Sequence, residues 1–195
     1  MVRVDSWSMR ALICKEYGPP ESLVIGEWDD PVPADNEIVF DVKAAGLNFA
    51  DVLMIGGKYQ VRTPPPFIPG NEASGVVAAI GSKVTRFKIG DRIIGALRGG
   101  AFAERAVVEQ ELAVPLPEGL SFAQGAAYSI AYGTSYHALK QGARLQPGET
   151  VLVLGAAGGV GNTAVELAKA MGATVIAAAS SSEKLAFAVA AGADQ

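Results

Sequence analysis

The chain has 195 residues, 50% of them hydrophobic and 18% charged, with 16 Lys and Arg against 20 Asp and Glu for a net charge of −4. This balance excludes an intrinsically disordered chain, and the lack of a basic run excludes the electrostatic footprint of a nucleic-acid or membrane-surface binder. Cys14 has no second cysteine for a disulfide, and with the single histidine, His137, it is too little for a tetrahedral Cys/His zinc site.

The length allows one large domain or two small ones. Residues 1–8 read as a leader that adds nothing to a core, with Met9 a candidate start. They lack the apolar core of a signal peptide. No stretch approaches the ~20 apolar residues of a membrane-spanning helix. A soluble protein in a reducing cytoplasm is the expectation.

Taken in order, residues 10–17, 37–47, 74–81, 91–97 and 101–109 are short runs rich in Val, Ile and Phe. Gly18-Pro19-Pro20, Pro31-Val32-Pro33, Pro64-Pro65-Pro66, Pro69-Gly70 and Gly99-Gly100 punctuate them. Many short strands between Gly/Pro turns predict a β barrel or sandwich. One short helix is predicted over Phe49–Ile55, where Asn48 is a candidate cap. Residues 62–69 hold too much proline for a helix or an inner strand and are expected to form an ordered loop.

The pattern changes near Ala123. Residues 127–141 read as a helix. Thr150–Leu154 is a continuous apolar run, the mark of a parallel strand buried on both faces. A glycine loop follows over 155–161. Val160, Ala164, Leu167, Ala168 and Met171 then recur at helical spacing up to Gly172. Thr174–Ala178 reads as a second buried strand. Residues 180–182 can cap a third helix that runs to Gly192. This β-α-β-α order with a tight glycine turn is a nucleotide-binding arrangement.

Gly155, Gly158, Gly159 and Gly161 lie between a strand and a helix, where missing side chains let backbone amides approach a pyrophosphate. Ala156 stands where the usual G-x-G-x-x-G has its first glycine, followed by Gly158 and Gly161. Ala157, Gly158, Gly159, Val160 and Gly161 are therefore the candidate phosphate-gripping residues. A turn that only packs helix on strand would account for one of the four glycines. After the second strand, the position where a carboxylate would hold the ribose of NAD carries Ser180 and Ser181, with Lys184 close by. Hydroxyls and an ammonium suit a 2′-phosphate, which favours NADPH. The alternative is that the serines cap the next helix and Lys184 is solvated.

The segments AAGLNFADVLMIGGKY, PFIPGNEASGVVAAIGSKVTRFKIGDRIIG, GAFAERAVV, GTSYHAL and LQPGETVLVLGAAGGVGNTAVELAKAMGATVIAA occur in this order. In them the chain resembles the medium-chain dehydrogenase/reductase superfamily, in its zinc-free NADPH:quinone oxidoreductase (zeta-crystallin-like) branch. The resemblance runs from Met9 to Gln195. It implies an α/β protein, with a GroES-like β-barrel catalytic domain over residues 9–125. The first part of a Rossmann domain, a doubly wound parallel sheet that binds NADPH, would follow over 126–195.

Asn48 and Asn71 stand where the zinc-containing branch has metal ligands, and neutral amides are poor ones. No metal site is expected. The resemblance makes Asn48 and Tyr59 candidate catalytic residues, as hydrogen-bond or proton donors to the acceptor, and Thr134 a contact of the nicotinamide carboxamide. Helix capping remains the alternative for Asn48, and loop packing for Tyr59. Asp51 and Glu72 read as structural hydrogen-bonding carboxylates, His137 as a packed or surface residue and Cys14 as an inert core residue.

The implied activity is hydride transfer from NADPH to a quinone, with reduction of a 2-enoyl thioester or enone as the alternative. The two strands would be strands 1 and 2 of the order 3-2-1-4-5-6, without partners 3 and 4. The expectation is therefore a C-terminally truncated piece of a longer reading frame, homodimeric when complete. Alone it would bind NADPH weakly or behave as a non-catalytic fragment.

Overall fold

The structure, a computed structural model, describes residues 8–195. Apart from Ser8, the expected leader lies outside the described residues. The chain divides into two compact units, one up to Ala127 and one over Tyr128–Gln195.

In the first unit, β1 (Ser8–Ile13) pairs antiparallel with β2 (Val24–Asp29). β3 (Glu37–Ala45) follows, then α1 (Phe49–Ile55), β4 (Glu72–Ile80), β5 (Arg92–Ala96), β6 (Arg105–Glu109) and β7 (Ala113–Pro115). The five strands from β3 onward make a curled antiparallel sheet in the order β6-β3-β4-β5-β7. Alternating apolar residues put Ile38, Phe40, Val77, Phe87, Ile93 and Val108 into one core. α2 (Phe122–Ala126) is capped by Ser121, whose hydroxyl accepts from Gln124 N at 3.2 Å. It packs on β3 and β4.

Two of these strands are not among the sequence-based expectations. β2 alternates half-buried and exposed positions and carries Gly26 at its centre, so it has no apolar run. β7 is three residues long and ends in Pro115.

In the second unit, α3 (Ser129–Tyr136) precedes β8 (Thr150–Leu154), α4 (Gly159–Ala170), β9 (Thr174–Ala178) and α5 (Ser182–Ala190). β8 and β9 pair in parallel, Thr150 opposite Thr174 through Leu154 opposite Ala178, and α4 is the crossover between them. Val153, Val165, Ala168, Val175 and Ala188 form the core.

The helix expected over 127–141 is corrected in two ways. It starts at Ser129, and its last turns widen into a π-helix over His137–Gly142. There Ala143 N donates to Ala138 O, five residues back, at 2.8 Å, and Arg144 takes φ 55°. This local geometry lets Leu139 and Leu145 both reach the core.

The second correction concerns β8, which is not buried on both faces. Val153 faces the core, whereas Leu152 is 59% and Leu154 75% exposed. Among the described residues β8 has one paired neighbour, and the helices packed on the ribbon cover the face of Val153.

α3 is fastened to α4 by polar contacts. The Tyr132 hydroxyl donates to Glu166, which also accepts from Asn162 Nδ2 at 3.3 Å. Ser135 Oγ donates to Val160 O at 2.8 Å. The Glu166 carboxylate is the main reason the Tyr132 phenol is pushed up from 10.0 to about 12. A folded-state value raised above the unfolded one gives stability that is complete below the unfolded value and lost as pH rises through the folded one. Between pH 10 and about 12 the wild-type unit should therefore lose more stability than Tyr132→Phe does, measured by urea unfolding across that range. Among the described residues no helix is long and apolar enough to cross a membrane.

Candidate functional site

The glycine turn is built from the end of β8. Gly155 takes φ 66°, a left-handed conformation that glycine adopts without a Cβ clash. The turn closes through Gly158 N to Gly155 O at 2.9 Å and is tied to β9 through Ala156 N to Ala178 O at 3.1 Å. Gly158 is the N-cap of α4, so the first N–H groups of that helix have no intrahelical acceptor.

The four glycines have different reasons. A Cβ on Gly161 would lie 2.2 Å from Gly155 O and 2.9 Å from Ala156 Cα, which no side chain can satisfy. Gly161 therefore packs helix against strand. A Cβ on Gly158 would meet only Gly155 O at an ordinary 3.4 Å, and one on Gly159 would meet nothing within 4 Å. Packing thus explains Gly161, and the turn explains Gly155. Gly158 and Gly159 leave open room that the described residues do not use.

A cleft of about 640 Å³ opens at this point, lined by Gly155, Ala157, Gly158, Ala178, Ala179, Ser180 and Lys184. Lys184 is the one charged side chain among them, and its Nζ donates to Ser180 Oγ at 3.1 Å. Ser181 is different, because its hydroxyl caps α5 by accepting from Lys184 N at 3.3 Å. Capping thus accounts for Ser181, and Ser180 with Lys184 forms the cleft wall. Val160 is exposed at the start of α4 and Thr134 is exposed on α3. His137 is exposed, its Nδ1 2.5 Å from Gln141 Oε1.

The first unit holds a buried amide–carboxylate network. Asn48 is the N-cap of α1, and its backbone N–H donates to Asp51 Oδ2 at 2.8 Å. Its side-chain Nδ2 donates to Glu72 Oε1 at 2.8 Å. Asn71 Nδ2 donates to Asp51 Oδ1 at 2.7 Å and lies 3.3 Å from Met54 Sδ. Asp51 is 0% and Glu72 2% exposed. Burial pushes the Asp51 carboxyl above its ordinary value, against the pull of hydrogen bonds from Asn48, Asn71 and Gly70.

Both acids thus sit as hydrogen-bond acceptors for asparagine amides. The Asn48 amide has a second hydrogen beyond the one given to Glu72. Leu47 and Phe49, both largely exposed, flank it with apolar surface. Tyr59 is half-buried after α1, held by its backbone N to Leu53 O at 3.1 Å, and among the described residues its phenol makes no hydrogen bond. Cys14 is buried, and burial raises its thiol.

Sequence reasoning did not pair Asn48 with Glu72. The Asn48-x-x-Asp51 spacing signals only the local half of the network. Leu47 and Phe49 had no signal beyond being apolar.

A family model described as the alcohol dehydrogenase GroES-like domain matches residues 34–118. The chain is 44% identical over 183 residues to the quinone oxidoreductase-like protein 2 homolog of Nematostella vectensis, covering 91% of this chain and 49% of that protein. A crystal structure of a probable oxidoreductase from Mycobacterium abscessus matches with a TM-score of 0.91 at 41% identity, over 97% of this chain and 60% of that one. The quinone oxidoreductase of Thermus thermophilus, solved also in complex with NADPH, matches with a TM-score of 0.85 at 44% identity, over 95% of this chain and 58% of that one. The chain belongs to the quinone oxidoreductase-like proteins of the medium-chain dehydrogenase/reductase superfamily. It spans about half the length of the curated relatives it matches.

The residues of this member fit a nicotinamide dinucleotide. The room at Gly158 and Gly159 lets main-chain nitrogens approach a pyrophosphate, and the cleft beside them carries a cation and a hydroxyl with no acid among its lining residues.

Proposed function

We propose that this chain takes part in zinc-independent transfer of hydride from NADPH to a quinone. The observation that carries the reading is the unfilled room at Gly158 and Gly159 beside the Lys184–Ser180 pair. When bound, NADPH supplies the hydride. The amides of residues 157–161 hold the pyrophosphate, Lys184 and Ser180 take the 2′-phosphate with Ser181 capping the helix behind them, and Thr134 contacts the nicotinamide carboxamide.

The second hydrogen of the Asn48 amide donates to the acceptor carbonyl, with Glu72 holding the side chain in place. The Tyr59 phenol donates to the oxygen that gains charge. A quinone takes hydride at a carbon that is already electron-poor, so hydrogen-bond donors serve where other dehydrogenases use a Lewis acid. Asn48 and Asn71 direct their N–H groups at carboxylates, which suits donation rather than ligation. The reading includes a cytoplasmic location and a homodimer for the full-length protein.

Titration with NADPH, followed by the amide NMR shifts of Gly158, Gly159 and Val160, tests the cofactor half. Lys184→Ala is expected to weaken NADPH about tenfold while leaving NADH almost unchanged. Equal loss for both nucleotides would remove the 2′-phosphate assignment. Comparing NADPH oxidation with benzoquinone and with crotonyl-CoA separates the quinone reading from the enoyl thioester one.

A further inference from the structure

We propose that the first unit carries a second recognition element, a cleft for a small planar carboxylate in which Arg98 reads the negative charge. The cleft has a volume of about 270 Å³ and is lined by Trp28, Met54, Phe67, Arg98 and their neighbours, with Arg98 the only charged side chain. That volume lies just under the usual range for drug-sized ligands and suits one or two rings. Its walls are aromatic and thioether surfaces, which favour a flat conjugated body.

The walls are pre-formed. Leu97 N to Asn71 O at 2.7 Å, Gly100 N to Ile68 O at 2.8 Å, Ala101 N to Gly70 O at 3.1 Å and Phe102 N to Pro69 O at 3.1 Å lace the Arg98 turn to the 68–71 segment. Gly99 and Gly100, at φ 111° and 91°, form the turn itself. Opposite, Tyr17 Oη donates to Thr63 O at 2.9 Å, and Cys14 and Phe67 exchange backbone hydrogen bonds at 2.9 and 3.1 Å.

Arg98 is exposed, and among the described residues it makes no ion pair, hydrogen bond or ring contact. A weakly hydrated planar guanidinium at the mouth of an apolar slot matches a carboxylate on a flat ligand. The cleft also adjoins the amide–carboxylate network, because Met54 lines it and contacts Asn71 through sulfur. Taking this ligand as the hydride acceptor, a quinone or enone bearing a carboxylate, rests on the reading given under Proposed function. The binding site itself does not.

The test is a titration of the 195-residue chain, without nucleotide, using naphthalene-2-carboxylate and the neutral naphthalene-2-carboxamide as probes. The indole N–H of Trp28 is followed by NMR, with Trp28→Phe assigning the signal against Trp7. The carboxylate is expected to shift Trp28 and to bind about fivefold or more tightly than the carboxamide. Arg98→Gln should erase that gap, and Arg98→Lys should keep part of it. Arg98 supports no other described residue, so the remaining spectrum of each variant should superimpose on the wild type. No Trp28 shift at millimolar probe, equal binding of both probes, or a gap that survives Arg98→Gln would overturn the proposal. Because no nucleotide is present, that failure is distinct from failure of the hydride-transfer reading.

Discussion

Gly161→Ala should cost the second unit about 3 kcal/mol, the overpacking range for a methyl driven against rigid atoms. The atoms in its way are backbone, Gly155 O at 2.2 Å and Ala156 Cα at 2.9 Å, and neither can rotate aside. Only a shift of α4 away from β8 relieves the clash, which opens the core around Val153 and Val165. Gly159→Ala is the control, two residues earlier on the same turn. Its Cβ meets nothing within 4 Å and its φ is not positive, so alanine should leave stability unchanged or raise it by about 0.5 kcal/mol. The order reverses for the ligand, because a methyl at Gly159 stands in the room reserved for the pyrophosphate and should weaken NADPH about tenfold. Urea unfolding of both variants and NADPH titration of Gly159→Ala check the pair. A Gly161→Ala protein as stable as wild type would show that the turn relaxes in a way the packing does not allow.

Asp51→Ala is the second large effect, with an expected cost of about 3–4 kcal/mol to the first unit. The carboxylate is fully buried and receives the Asn48 and Gly70 N–H groups and the Asn71 amide. Removing it leaves these donors without an acceptor at the start of α1, and the Asn48 amide loses its anchored backbone. Asp51→Asn isolates the charge. Burial raises the folded-state carboxyl above its ordinary value of 3.8. Its contribution is therefore complete below the unfolded value and lost as pH rises through the folded one. The advantage of wild type over Asp51→Asn should shrink as pH climbs from below 3.8 through the raised folded-state value. Chemical denaturation at several pH values reads this directly, and a growing advantage would mean that the hydrogen bonds outweigh burial.

Helix α1 and its cap were readable because their signals are local, a capping residue directly before an apolar run and Asp51 three residues on. The turn before α4 was readable for the same reason. β2 escaped because an edge ribbon with alternating exposure has no apolar run to see. The helix expected through residue 141 failed at its end, where the widened turn and the left-handed Arg144 follow from placing Leu139 and Leu145 in one core. Propensity yielded there to packing. β8 carries the composition of a strand covered on both sides, yet composition does not say which neighbours cover it.

By itself, the sequence determined where strands meet helices, that a glycine turn opens α4 and that Asn48 opens α1. These features depend on residues within a few positions of one another. Only the tertiary structure decided that Asn48 donates to Glu72, 24 residues away, and that Gly161 is closed by backbone while Gly159 stays open. Such distinctions arise from atoms brought together across the chain, and no local pattern encodes the distance between them.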